Sequence, residues 1–346
     1  MRPLYLCVLL AASLPAAAAP SAPFPFTHHD WTLACDNTRT CRAAGYQQDE
    51  GDAAPVSVLL TRAAGPGQRV DAQLLLGQYD EDSPRPPAQA QLQINGKDLG
   101  RLQLQGGGAT LSAAQTDALL AALTRSSRIV VIGNGQQRWT LSDRGASAVL
   151  LKMDEFQGRL GTTGALMRKG SASEGKVLPA LPVPVVVLAK LAPTRAGDAA
   201  LEQSSALRAA LRSATPGDDC SAISAEGDPM ISEPQELSVT RLSKDKVLVS
   251  TLCWRAAYNE GYGFWVANDK APFQPVLVTT SGTDNDGSTI SAWQKGRGLG
   301  DCGWTADWGW DGKRFVATSE ATSGLCRMVT AGGAWEMPTV VSRIQH

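Results

Sequence analysis

The chain has 346 residues with 32 basic and 33 acidic side chains, a formal net charge of −1. Nucleic acid and anionic membrane surfaces are recognised through a basic excess, and this composition has none. A 43% hydrophobic content with 34 glycines and 20 prolines describes a turn-rich, strand-rich chain with enough apolar mass for a core.

Residues 1–19, MRPLYLCVLLAASLPAAAA, have the pattern of a secretory signal peptide. Arg2 is the positive start, 4–14 form a short apolar stretch, and 16–19 supply small residues for cleavage. The expectation is a periplasmic or secreted protein. The longest later apolar stretch, 178–192, is broken by Pro179, Pro182, Pro184 and Lys190 and falls short of the ~20 residues a membrane helix needs. The remaining length suggests about two domains at ~150 residues each.

In residues 24–170, Trp31, Leu33 and Cys35 alternate as on a half-buried strand. Residues 56–63 and 70–76 read as strands joined by a Gly-Pro-Gly turn. Asn95-Gly96 predicts a type I′ hairpin turn between strands at 90–94 and 99–104. Ser112 followed three residues later by Gln115 is a capping-box pattern, opening a helix over 111–125. Strands at 129–132 and 139–141 lead to a second helix over 145–160. Its apolar face is Val149, Met153, Phe156 and Leu160, with Asp154, Glu155 and Arg159 off that face. This part reads as an α+β domain: an antiparallel sheet with two helices.

Residues 171–219 read as a connector that docks one strand and one helix. Residues 220–346 read as all-β, with Asp286-Gly287 and Asp311-Gly312 as hairpin signals and seven of the nine tryptophans. A sandwich, a barrel and propeller-like blades all fit the spacing.

Cys7 belongs to the leader. An oxidising compartment makes disulfides the default for Cys35, Cys41, Cys220, Cys253, Cys302 and Cys326. Six cysteines allow 15 connectivities, and locality favours Cys35–Cys41, Cys220–Cys253 and Cys302–Cys326. No pair has the CxxC spacing of a zinc or redox site.

The strings DWTLACDNTRTCRAAGY, VSVLLTRAAGPG and SDRGASAVLLKMDEFQGRLGTTGAL resemble the N-terminal half of the bacterial family called domain of unknown function 1176. RAAYNEGYGFWV, KGRGLGDCGWTADWGWDGKRF and CRMVTAGGAWEMPT resemble its C-terminal half. The N-terminal half is also loosely similar to invasion-associated locus B proteins, through the Trp-x-x-x-Cys opening and the two helices. These resemblances imply a periplasmic or envelope protein, and they bring no catalytic residue to carry over. The chain departs from the first family after its last cysteine, where Arg327-Met328 and Glu336-Met337-Pro338 stand.

Candidate sites are few. His28, His29 and His346 are the only histidines, so a Ser-His-Asp or Cys-His enzyme lacks an evident imidazole; His28 and His29 read as residues of a frayed N-terminus. Asp284 and Asp286 resemble the start of a calcium loop, but Lys295 stands where a closing Glu belongs. An acidic hairpin turn is the plainer reading. Lys295, Arg297 and Asp301 surround a glycine-rich loop that lacks the Lys-Ser/Thr of a phosphate loop, and they are candidates for a polar binding site. Trp304, Trp308 and Trp310 share one face of an ideal strand, either as a core layer or as a stacking platform for sugar rings.

The leading expectation is a non-catalytic envelope protein that binds a protein or glycan, or inhibits a hydrolase such as lysozyme. The rival is a calcium-dependent or carboxylate-based hydrolase acting on envelope material. Convergence of Asp284, Asp286, Asp301 and Tyr262 in one cleft would favour the rival.

Overall fold

The computed structural model describes residues 25–49, 53–78, 85–216, 219–223, 231 and 235–346. The predicted leader, with Cys7, lies outside the described residues. The described chain is mostly β, in several antiparallel sheets with few helices, and no sheet closes into a barrel.

The first half runs β1 (Pro25–His28), β2 (Trp31–Cys35), β3 (Cys41–Tyr46), β4 (Val56–Arg62), β5 (Val70–Leu76), β6 (Gln89–Ile94), β7 (Lys97–Gln103) and β8 (Gly108–Thr110). Then come α1 (Ala113–Leu123), β9 (Ile129–Ile132), β10 (Arg138–Leu141) and α2 (Ala146–Phe156). One sheet has the order β1-β2-β3-β4-β5-β8 and a second has β10-β9-β6-β7. The N-terminus is not frayed at His28: residues 25–28 pair along β2, and the exposed His29 takes a left-handed turn, φ 51°.

Period-2 alternation sorts the central strands onto two faces. Trp31, Leu33, Val58 and Leu60 pack with α2 and the second sheet in one core. Ala34, Ala44, Tyr46 and Leu59 point the other way, and that face is buried too. Gly45 is required beneath Trp31, because a Cβ there would overlap the indole. The indole itself donates to the Ser142 carbonyl at 2.8 Å.

Asn95 and Gly96 both take positive φ, as a type I′ turn demands. Ser112 accepts from the Gln115 N–H while the Gln115 side chain accepts from the Ser112 N–H, closing the capping box. The second helix is shorter than its periodicity predicts. It ends at Phe156 because Gly158 turns left-handed, φ 69°. Leu160 is thereby exposed instead of joining the core, while Asp154 and Arg159 are fully buried.

The second half contains β11 (Val185–Val187), α3 (Asp198–Glu202), α4 (Ser205–Ala214), β12 (Ser238–Arg241), β13 (Lys246–Arg255), β14 (Glu260–Asn268) and β15 (Val276–Gly282). It continues with β16 (Asp284–Asn285), β17 (Thr289–Lys295), β18 (Gly303–Trp310), β19 (Phe315–Thr322), β20 (Met337–Val340) and β21 (Arg343–Gln345). The sheets β12-β13-β14-β15 and β16-β17-β18-β19-β20 pack through Leu248, Phe264, Ile290, Trp310 and Phe315. The opposite face of the four-stranded sheet, with Val247, Val249 and Trp265, is covered by Leu207 and Leu211 of α4. β11 pairs in parallel with β21.

The three disulfides are Cys35–Cys41, Cys220–Cys253 and Cys302–Cys326. After the last of these the chain crosses back to the first sheet. Val329, Met337, Leu325 and Trp335 form one apolar cluster with Ala34, Ala44, Tyr46 and Leu59. No strand forms over 325–330. Backbone groups there are taken individually: Leu325 N–H by the Tyr46 hydroxyl, the Arg327 carbonyl by Gln47, and the Val329 carbonyl by the Gln78 N–H. Burial pushes the Tyr46 phenol pKa up, so it stays neutral at this junction.

Candidate functional site

Strand β18 carries Trp304, Trp308 and Trp310 two or four residues apart, and β17 pairs with it in unbroken register. The three indoles fall on the face that meets the four-stranded sheet, but burial declines along it. Trp310 is 1% exposed and packs on Phe315 at 5.5 Å between ring centroids. Trp308 lies at the margin of that core, and Trp304 stands beyond it; both are partly exposed. Their ring centroids are 6.3 Å apart and the planes cross at 57°. Glu320 on β19 accepts a hydrogen bond from Trp304 Nε1 at 3.1 Å through Oε1. Its second oxygen has no hydrogen-bond partner among the described residues. The result is a ledge of two partly exposed indoles with a carboxylate at its side, while Trp310 is core.

Asp307 lies between these tryptophans in sequence and on the opposite face. It accepts from the Ser291 hydroxyl at 2.6 Å and the Ser319 hydroxyl at 2.7 Å, bracing three neighbouring strands.

The glycine-rich loop does not present Lys295, Arg297 and Asp301 as one open polar site. Asp301 is buried and forms a two-pronged ion pair with Arg297, at 2.7 and 2.5 Å. It also accepts from the Met328 N–H at 2.7 Å, which ties the loop to the segment after Cys326. Burial alone would raise the Asp301 pKa; Arg297 and the Met328 N–H outweigh it and hold the carboxyl below its ordinary range. Asn259 clamps the backbone of Lys295 from both sides, donating to its carbonyl and accepting from its N–H. Asp301 also lies close to the sulfurs of Cys302 and Cys326, the one metal-sized His/Cys/Asp/Glu group of three among the described residues. Those sulfurs are bonded to each other, which leaves a single carboxylate and no thiolate ligands.

Asp286 directs its carboxylate into its own turn. Oδ1 accepts from Ser288 N–H, Ser288 Oγ and Thr289 N–H at 2.8, 2.9 and 2.6 Å. Burial raises its pKa, but these donors prevail and lower it overall. Asp284 accepts from the Asn285 N–H at 2.8 Å. Tyr262 lines a cleft of about 380 Å³ with Glu236, Ser250 and Thr251, and none of Asp284, Asp286 and Asp301 is among its lining residues. Tyr262 therefore does not share this cleft with the three aspartates whose convergence on it would favour a hydrolase.

Two polar networks escape sequence reading because their members are far apart in the chain. Arg62, Asp154, Arg159 and Glu174 form a buried cluster, with Arg159 2.7 Å from Glu174 and Asp154 accepting from Leu166 and Met167 N–H. Burial, reinforced by Arg159, lowers the Arg62 pKa to about 10 despite Asp154 and Glu174. Burial likewise raises that of Asp154. Their guanidinium groups satisfy the carbonyls of Gln68, Gly164 and Gly65, so the cluster braces loops. The second network joins Arg327 to Asp30 and Asp49. Glu320, the acid beside Trp304, carried no motif; its only signal is a lone carboxylate within the strand FVATSEAT.

Residues 25–342 match the family described as "Protein of unknown function (DUF1176)". The chain belongs to this DUF1176 family. It is also 26% identical over 366 aligned positions to the protein named "Uncharacterized protein YpfG" of Escherichia coli (strain K12), covering 97% of this chain and 98% of that one. No solved structure matches it. DUF1176 membership thus extends over both halves, including the tryptophan ledge and the disulfide-braced loop before it.

Proposed function

We propose that this DUF1176 protein is an exported, periplasmic, non-catalytic binding protein of the cell envelope, and that Trp304, Trp308 and Glu320 form its contact for a glycan. The observation that carries this reading is the pair of partly exposed indoles beside a carboxylate oxygen that has no hydrogen-bond partner among the described residues. Apolar faces of sugar rings stack on indoles, and ring hydroxyls donate to carboxylates. Three disulfides suit an oxidising compartment, and no described helix is long and apolar enough to cross a membrane. In this reading the α+β part over 24–170, with its loose likeness to invasion-associated locus B proteins, is a platform. The all-β part over 220–346 carries the contact. A narrower form, inhibition of an envelope hydrolase, would use the same ledge to occupy a glycan-binding cleft.

Tryptophan emission during titration with soluble peptidoglycan fragments tests the proposal. A saturable change is expected, with affinity falling at least ~10-fold in Trp304→Ala, equivalent to about 1.4 kcal/mol. No change with any fragment, together with no reproducible partner in a pull-down from periplasmic extract, overturns it.

A further inference from the structure

The strand β11 is an exposed apolar edge. Leu181, Val183, Val185 and Val187 alternate along 179–187 and are between 41% and 56% exposed. A stretch this apolar is normally buried, and exposed apolar patches of this kind mark interaction surfaces. Its register is set on one side only. The Arg343 N–H donates to the Pro184 carbonyl and the Leu188 N–H to the Gln345 carbonyl, so the even-numbered backbone groups face β21. The N–H and C=O groups of Val185 and Val187 point the opposite way and have no partner among the described residues. Pro182 and Pro184 lack their N–H on the β21 side, so they do not blunt the open edge.

The side chains that flank this edge in sequence carry one sign of charge. No acidic side chain occurs between Glu174 and Asp198, or after Glu336. Lys190 follows the strand, Arg343 pairs beside Val185, and Arg39 donates to the Pro179 carbonyl at the near end. Lys190 and Arg343 are exposed and pair with no carboxylate among the described residues.

We infer that the β11 edge binds an extended segment of another protein by strand addition, a segment with small apolar side chains at alternate positions and acidic residues at its ends. Backbone pairing to Val185 and Val187 supplies affinity, and the alternating valines and flanking cations select the sequence. A second copy of this chain would bring the same cations together. A lipid surface would meet the valines but leave the edge N–H and C=O groups without partners. The inference uses none of the ledge residues and stands without the glycan reading.

The test is fluorescence anisotropy of a labelled, end-capped peptide DVTVTVD titrated with the full exported chain at low salt. Saturable binding in the range of ~10–100 μM is expected, weakening at least ~5-fold at high salt. Binding should drop at least ~10-fold for the same peptide N-methylated at alternate residues, and for a version with lysines at both ends. Val187→Pro removes one outward N–H at an exposed position and should weaken binding comparably, with thermal unfolding unchanged. The N-methylated peptide reads the same hydrogen bonds on the unaltered protein if that variant proves unstable. No saturation up to ~1 mM overturns the inference. So does equal binding of the N-methylated peptide. Binding to phosphatidylglycerol vesicles without peptide binding would assign the edge to lipid, and a dimer in sedimentation that Val187→Pro dissolves would assign it to self-pairing; either overturns the proposal.

Discussion

The Arg327 guanidinium lies 3.2 Å from the Asp30 carboxylate, so an ion pair ties the segment after the last disulfide to the turn before β2. Asp30 is almost fully buried and its other oxygen accepts from the Ser142 hydroxyl at 2.7 Å. Arg327 reaches Asp49 as well, at 3.0 Å.

Arg327→Met is therefore expected to destabilise the protein by ~2–4 kcal/mol, because the buried Asp30 is left inside the junction without its cation. Pairing the substitution with Asp30→Asn should recover part of that loss, since the orphaned charge goes with it. Urea unfolding of the two single variants and the double variant measures the coupling. Strict additivity would show that the ion pair contributes nothing to holding the halves together.

Asp198 and Arg241 form a second buried pair, with Arg241 also reaching Asp269 at 2.8 Å. The Arg241 hydrogen bond lowers the Asp198 pKa more than burial raises it. A carboxylate with a depressed folded-state pKa adds stability that is complete above its unfolded value of ~3.9 and is lost as pH falls through the folded value. Asp198→Asn should thus cost ~3 kcal/mol or more at pH 7 and nearly the same at pH 5. The gap from wild type should narrow only below about pH 4, as the wild-type carboxylate protonates. A gap already closing between pH 7 and pH 5 in denaturant titrations would refute this account.

Much of the local structure was legible because it depends on neighbours in sequence. The Ser112–Gln115 box, the Asn95-Gly96 turn and the Cys35–Cys41 disulfide, with a sequence separation of 6, each need only near neighbours in the chain. The burial of Asp154 and Arg159 is not legible for the opposite reason. Helical periodicity only sets them off the apolar face, and their partners Arg62 and Glu174 lie outside the helix. The same limit hid the ledge. Alternation placed Trp304, Trp308 and Trp310 on one face, but which of them is buried depends on where the opposing sheet ends. The shared core of Tyr46 with Met337 and Trp335 depends on a return of the chain that no local pattern encodes.

The turn at Asp286 yields a prediction about metal. Its Oδ1 already accepts three hydrogen bonds within the turn, and Gly287 takes the left-handed conformation, φ 88°, that lets the chain reverse there. A calcium ion would have to compete with those donors and would find no closing glutamate at Lys295. Millimolar calcium, or its removal by a chelator, should leave the melting temperature unchanged. Asp286→Ala should still destabilise by ~1 kcal/mol, because the turn loses its acceptor whether or not calcium is present. A calcium-dependent rise in melting temperature that disappears in Asp286→Ala would instead make this turn a cation site and reopen the calcium-dependent reading.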